Sequence, residues 1–174
     1  MNPMKVFLVL NILILLFINS NAQKRNFLSA GGGLTYPVFA DNYDPSWYTS
    51  LHWNIGIGRF SYVDTHLGLA EIGVKNYPDV PGAENDYNVY QLGIGYRQYF
   101  LKHFFVRGGV AAAIINDGEA SAQVFPNFGI GYDIFLTERH GLEFSFKNDL
   151  IRNFGNQSQI SIFSFGAAYK FWYP

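Results

Sequence analysis

The stretch Gly93-Ile94-Gly95-Tyr96-Arg97-Gln98-Tyr99-Phe100 decides the fold. Leu92, Ile94 and Tyr96 alternate with Gly93, Gly95 and Arg97. Period two describes a β-strand with one apolar face and one face of glycine and charge. The pattern recurs. Gly56-Ile57-Gly58 precedes it, Gly129-Ile130-Gly131-Tyr132-Asp133-Ile134-Phe135 follows, and Gly166-Ala167-Ala168-Tyr169-Lys170-Phe171 is a looser copy. The first glycines stand at 56, 93, 129 and 166, giving spacings of 37, 36 and 37 residues. A fixed period marks one supersecondary unit used repeatedly. Each unit is a strand pair, so four units predict eight strands.

Outward from this repeat, the chain starts with a different kind of segment. Lys5 is followed by an almost wholly apolar run from Val6 to Ile18, then by Ser20-Asn21-Ala22. A basic start, a short apolar run and small residues at the cleavage positions describe a secretory signal peptide, residues 1–22. The run is too short and wrongly flanked for a lasting membrane span. The barrel domain is then 23–174. The chain has no Cys, which excludes a lipid-anchored lipoprotein, a disulfide framework and a thiolate metal site.

Only 14% of residues are charged, against 49% hydrophobic and 18% aromatic. Soluble domains run at about 25% charged, so a water-facing exterior is undersupplied. Beyond the apolar run no segment reaches the roughly 20 residues of a membrane helix. An exported, apolar chain without such helices can still cross a membrane as a closed β-barrel. The formal net charge of −1 gives no basis for nucleic-acid binding.

Eight alternating segments are legible: about 27–38, 48–58, 62–76, 92–100, 104–115, 124–136, 141–152 and 159–172. The third is the least regular. Leu67 and Leu69 share one parity and Ile72 and Val74 the other, which predicts a bulge near Ala70-Glu71. Pro126 is expected near a strand end, where a missing N–H is tolerated. Connections alternate between short turns, such as Lys102-His103, and longer loops, such as Tyr77 to Asp86. Short periplasmic turns and long outer loops are the asymmetry of outer-membrane barrels. Aromatics gather at both strand ends. Phe60, Tyr62, Tyr99, Phe100, Phe104, Phe135, Phe171, Trp172 and Tyr173 mark the periplasmic level, and Tyr36, Tyr43, Trp47, Tyr48, Tyr77, Tyr87 and Phe154 the outer one.

Alternation alone does not say which face meets lipid. The opposite assignment is a soluble eight-stranded barrel with an apolar cavity, like a lipocalin. That assignment needs a charged outside, whereas the polar face here is mostly Gly, Ala, Ser and Asn. Small residues suit the crowded interior of a narrow barrel. The signal peptide, four hairpins, Gly-x-Gly-Tyr strands and aromatic-ended last strand resemble the small outer-membrane β-barrel family of Gram-negative bacteria, in the style of Bacteroidota. The resemblance covers about Phe27 to Trp172. It implies an all-β, eight-stranded antiparallel up-and-down transmembrane barrel in the cell outer membrane, monomeric, surrounded by outer-membrane lipid and without cofactor. It also implies that the barrel assembly machinery reads the C-terminal strand, with Phe171 as the terminal aromatic.

Five charged residues share the inward face. Arg97, Asp133 and Lys170 each lie four residues after the first glycine of their repeat, and Arg107 and Glu143 follow the turns before their strands. These predict one network in the periplasmic half, with Asp149 or Glu71 balancing the odd charge. An ion path and a plug of salt bridges are both open to such a set; eight strands leave an interior that side chains fill, which favours the plug. Ser50 and His52 share the inward face near the outer rim. A barrel-type lipid deacylase would carry a His-x-Ser pair towards lipid; here the order is reversed and the pair faces inward. His103 and His140 fall in turns. Asp79, Glu84 and Asp86 lack the spacing of a calcium loop. The sequence therefore points to a non-enzymatic barrel with extracellular connections for partner binding or surface structure. A lipid-modifying barrel enzyme is the alternative, and a narrow pore a weaker one.

Overall fold

The computed structural model describes residues 26–38, 43–74, 87–100, 102–116, 120–154 and 157–173. The signal-peptide segment and the acidic residues Asp79, Glu84 and Asp86 lie outside the described residues. Among the described residues nine strands form in order: β1 (Asn26–Val38), β2 (Tyr43–Asp44), β3 (Ser46–Gly56), β4 (Ser61–Val74), β5 (Tyr87–Phe100), β6 (Phe104–Asn116), β7 (Ala120–Phe135), β8 (His140–Phe154) and β9 (Gln157–Tyr173). β2 is a two-residue arm paired to the end of β4. The other eight form the wall, each antiparallel to its neighbours, and β1 closes on β9 from Asn26↔Tyr173 to Val38↔Ser161. Closure leaves no unpaired edge, which a hydrocarbon environment demands.

Burial settles which face is which. Leu51, Trp53, Leu92, Ile94, Ile130, Phe144 and Phe165 are exposed on the outside. Asp64, Arg97, Asp133, Glu143 and Lys170 are at most 3% exposed inside. Apolar outside and charged inside is the reverse of a soluble barrel, and removes the lipocalin-like assignment.

Several local expectations are corrected. β4 carries no bulge: its register runs unbroken from Ser61↔Gln98 to Ile72↔Tyr87. Ile72 has the inward parity because the outer half of the lumen is itself apolar. There Ile72, Tyr87, Val89, Ile115, Phe125, Ile151, Ile160 and Ile162 pack together. Tyr43 and Tyr48 join that cluster, so with Tyr87 they face the lumen instead of the outer membrane surface. Pro126 stands well inside β7, opposite Val110. The β7–β8 ladder ends at Asn127↔Asp149, so the missing N–H falls where that ladder stops. Strands also run further outward than the alternation suggests. The connections 39–42, 117–119 and 155–156 are as short as the turns at the opposite end, leaving 75–86 as the longer one. Strands of 13–17 residues in β6–β9 exceed the roughly 9–11 that cross a bilayer.

The lumen is layered. At the short-turn end Phe27, Tyr99, Phe105 and Trp172 form an aromatic floor, with Phe60 and Tyr62 against it. Tyr62, Tyr99 and Trp172 thus turn inward, and Phe135 joins them at the lumen mouth, its ring 5.0 Å from Trp172, while Phe100 and Phe104 stay on the outer surface. Charged residues fill the storey above, and the apolar cluster closes the outer half.

Candidate functional site

The charged storey is built by six strands of the wall. β5 supplies Arg97, β6 Arg107, β7 Asp133, β8 Glu143, Lys147 and Asp149, β9 Lys170 and β4 Asp64; all eight are buried. Four cations meet four anions among these described residues. An unpaired charge in such surroundings would cost several kcal/mol, so the balance is a condition of the fold.

Glu143 is the hub. It accepts from Arg97 Nη1 at 2.7 Å and forms an ion pair with Lys170 Nζ at 2.9 Å. Lys170 also reaches Asp133 at 2.6 Å and Tyr99 Oη at 2.7 Å. Tyr99 in turn donates to Asp133 at 2.8 Å. The aromatic floor supports the cations from below: Arg97 Cζ lies 4.3 Å over the Phe105 ring and Lys170 Nζ 4.2 Å over Phe27.

Arg107 belongs to a neighbouring group. Its nearest carboxylate is Asp64, at 3.9 Å, which also stands 3.6 Å from Arg97 and so links the two groups. Arg107 otherwise lies against His52, and His52 Nδ1 meets Asp64 at 3.0 Å. One level outward, Lys147 pairs with Asp149 at 2.7 Å, and Gln91 contacts both. The structure therefore brings Arg97, Asp133, Glu143 and Lys170 into direct contact and joins Arg107 through Asp64. Asp149 pairs with Lys147; Glu71 is outside the storey, accepting from Ser46.

The glycine repeat has a mechanical role here. Arg107 faces Gly129 across the β6–β7 ladder. A Cβ on Gly129 would come within 2.7 Å of Arg107 Nε, so the side chain lies flat over the bare backbone. The repeat motif is thus the seat for a long side chain from the next strand.

Sequence reasoning missed Asp64, because the assumed bulge obscured the parity of β4; Asp64 and His66 alternate cleanly with Thr65 and Leu67. It also placed His52 near the outer rim. The structure puts His52 in the middle of the lumen, opposite His66 on β4. Its ring is engaged by Asp64 and Arg107, and among the described residues no hydrogen bond joins it to Ser50. His103 and His140 pack on aromatics near the turns, against Tyr132 and Phe171 respectively.

Neither a protein-family model nor a curated protein matches the chain. Solved structures do. The Neisserial surface protein A is similar with a TM-score of 0.62 at 12% identity, over 84% of this chain and 96% of that one. OprG, an outer-membrane protein of Pseudomonas aeruginosa, gives 0.56 at 14%, over 86% and 98%. Ail, the attachment invasion locus protein of Yersinia pestis, gives 0.52 at 12%, over 86% and 100%. At these identities the likeness is one of fold. The fold is that of the small eight-stranded outer-membrane β-barrels.

Proposed function

We propose that this chain is a non-enzymatic integral protein of the outer membrane, a closed barrel of the Bacteroidota style whose extracellular connections bind a partner or shape the cell surface. One observation carries the reading: the outside is apolar while the lumen is filled from floor to cap. At mid-lumen the ion pairs and the apolar cluster leave a cavity of about 10 Å³, the scale of one water, and the larger cavity of about 510 Å³ lined by Tyr62, Tyr99, Asp133 and Trp172 opens only at the short-turn end, below the aromatic floor. A plug of salt bridges fits this better than an ion path. Ser50 and His52 face the lumen, away from any lipid substrate, so the lipid-modifying alternative has no support from them.

Outer-membrane lipid surrounds the monomer in this reading, and the assembly machinery engages β9, whose Phe171 packs outward on His140. The test has two arms. Cell fractionation with protease shaving should place the folded protein in the outer membrane, cleavable in intact cells only in the 75–86 connection. Purified barrel in a planar bilayer should show no steady conductance, and lipopolysaccharide incubated with it should keep all its acyl chains. Steady single-channel current, or acyl loss that the catalyst-free control lacks, would overturn the reading.

A further inference from the structure

His52, Asp64 and His66 form a cluster that the ion-pair network does not account for. His52 and His66 are direct cross-strand partners on β3 and β4. Asp64 precedes His66 by two residues, so strand alternation sends all three inward side by side. They are 4%, 3% and 7% exposed. One ligand atom from each lies within 4.8 Å of the others. Two imidazoles and a carboxylate are a donor set for a divalent transition metal of the zinc class.

A second observation points to a ligand. Nε2 of His66 is buried without a hydrogen-bond partner. Leaving a buried polar atom unpaired carries a real cost, which a bound ion would remove. The ring is held there by design of the backbone: a Cβ on Gly93, its partner on β5, would lie 2.1 Å from His66 Cε1 and 2.5 Å from Nε2. Beside the cluster is the 10 Å³ cavity, lined by His52, His66 and Arg107 among others. It has room for one water-sized ligand.

Arg107 does not occupy the donor atoms. Its Nη1 is 3.2 Å from Nε2 and 3.4 Å from Nδ1 of the same His52 ring. A donor nearly equidistant from both nitrogens is aligned with neither lone pair. We propose that His52, Asp64 and His66 are a lumenal site for one divalent transition-metal ion, with water or hydroxide in the cavity as fourth ligand and Arg107 donating to that ligand. Zinc bonds of about 2.0–2.1 Å place tetrahedral ligand atoms about 3.4 Å apart; the His52 and His66 rings, stacked 5.2 Å apart, turn edge-on to the ion when it binds. The lumen is already charge-balanced. Loss of one proton from the bound water to solvent limits the added charge to one, and Arg107 faces the hydroxide that results. The bound ion ties β3 to β4 at mid-barrel.

The test folds the full-length protein into detergent micelles with Zn²⁺, Co²⁺ or Cu²⁺ and removes excess metal by gel filtration. About one ion per folded barrel is expected to remain, with cobalt d–d bands of a four-coordinate nitrogen and oxygen site. The chain has 4 histidines, so the His103→Gln, His140→Gln double variant leaves only the lumenal pair. In that variant Cu²⁺ should still show two coupled imidazole nitrogens by pulsed paramagnetic resonance. His66→Gln and His52→Gln should retain no ion. A folded wild-type barrel that keeps no metal overturns the site whether or not any variant folds. Metal retained in the His52→Gln, His66→Gln barrel, or a copper signal lost with the turn histidines, overturns it too.

Discussion

Lys170 Nζ meets Glu143 at 2.9 Å although the two are not ladder partners: Glu143 faces Ala168, and Lys170 faces Gly141. The pair is diagonal across β8 and β9, one residue pair out of step. Small partners on both strands open that diagonal. Lys170 thereby reaches Asp133 as well, and shares Glu143 Oε2 with Arg97 Nη1.

Removal of the hub should be more harmful than removal of hub and partner together. Glu143→Gln leaves one positive charge in excess, with Asp64 at 3.6 Å the one carboxylate left to Arg97 among the described residues, and is expected to cost about 3–5 kcal/mol. Glu143→Gln with Arg97→Met should cost less than the sum of the single changes. Likewise Asp133→Asn alone should cost more than Asp133→Asn with Lys170→Met. Urea titrations of the barrel in lipid vesicles, read by tryptophan fluorescence, measure both cycles; additive energies would argue against the network.

Depth should be readable on the outer surface. Ile94 is exposed at mid-strand, and Ile57 is exposed in the turn after β3. Arginine at Ile94 is expected to destabilise the barrel by about 2–4 kcal/mol, and at Ile57 by about 0–1 kcal/mol. The same titrations compare them, and equal costs would mean that the apolar face does not meet a bilayer.

Gly129 and Arg107 should behave as one unit. Gly129→Ala introduces a methyl group 2.7 Å from Arg107 Nε and is expected to cost about 1–3 kcal/mol through overpacking. In an Arg107→Ala background the same change should cost less. Relief is partial, because the Phe146 carbonyl oxygen stands 3.0 Å from the added carbon. The coupling energy from the four-variant cycle is the measurement, and a value of zero would remove the seating role.

The apolar cap should hold the lumen shut. Phe125 is 2% exposed within it. Phe125→Ala is expected to cost about 3–5 kcal/mol and to leave a cavity above Lys147 and Asp149. Hydrogen exchange should then quicken at the backbone of β6 and β7 in the outer half while the aromatic floor stays protected. Unchanged exchange would show that the cap is dispensable.

Alternation made the wall legible. Leu92, Ile94 and Tyr96 against Gly93, Gly95 and Arg97 define both faces of β5 without further information, and the repeat supplies the other hairpins. The lumen was less legible, for two physical reasons. Parity places a side chain on a face but gives no height around a tilted barrel, so His52 was put at the rim and Arg107 beside Glu143. Alternation also assumes one chemistry per face. The lumen changes from charged to apolar along its length, so Ile72 and Tyr87 look like outward residues until the register is known. Asp64 was within reach: it shares parity with His66, and only the supposed bulge hid it.

The ion pairs join residues far apart in sequence: Arg97 and Glu143 are 46 residues apart, and Asp133 and Lys170 are 37 apart. Before β8 and β9 join the wall, Arg97 lacks its hydrogen-bonded carboxylate and Asp133 its ammonium. A partly built sheet would carry those charges unneutralised into hydrocarbon, at a cost that rejects it. The salt bridges are therefore complete only in the closed barrel, whose last strand has found its first.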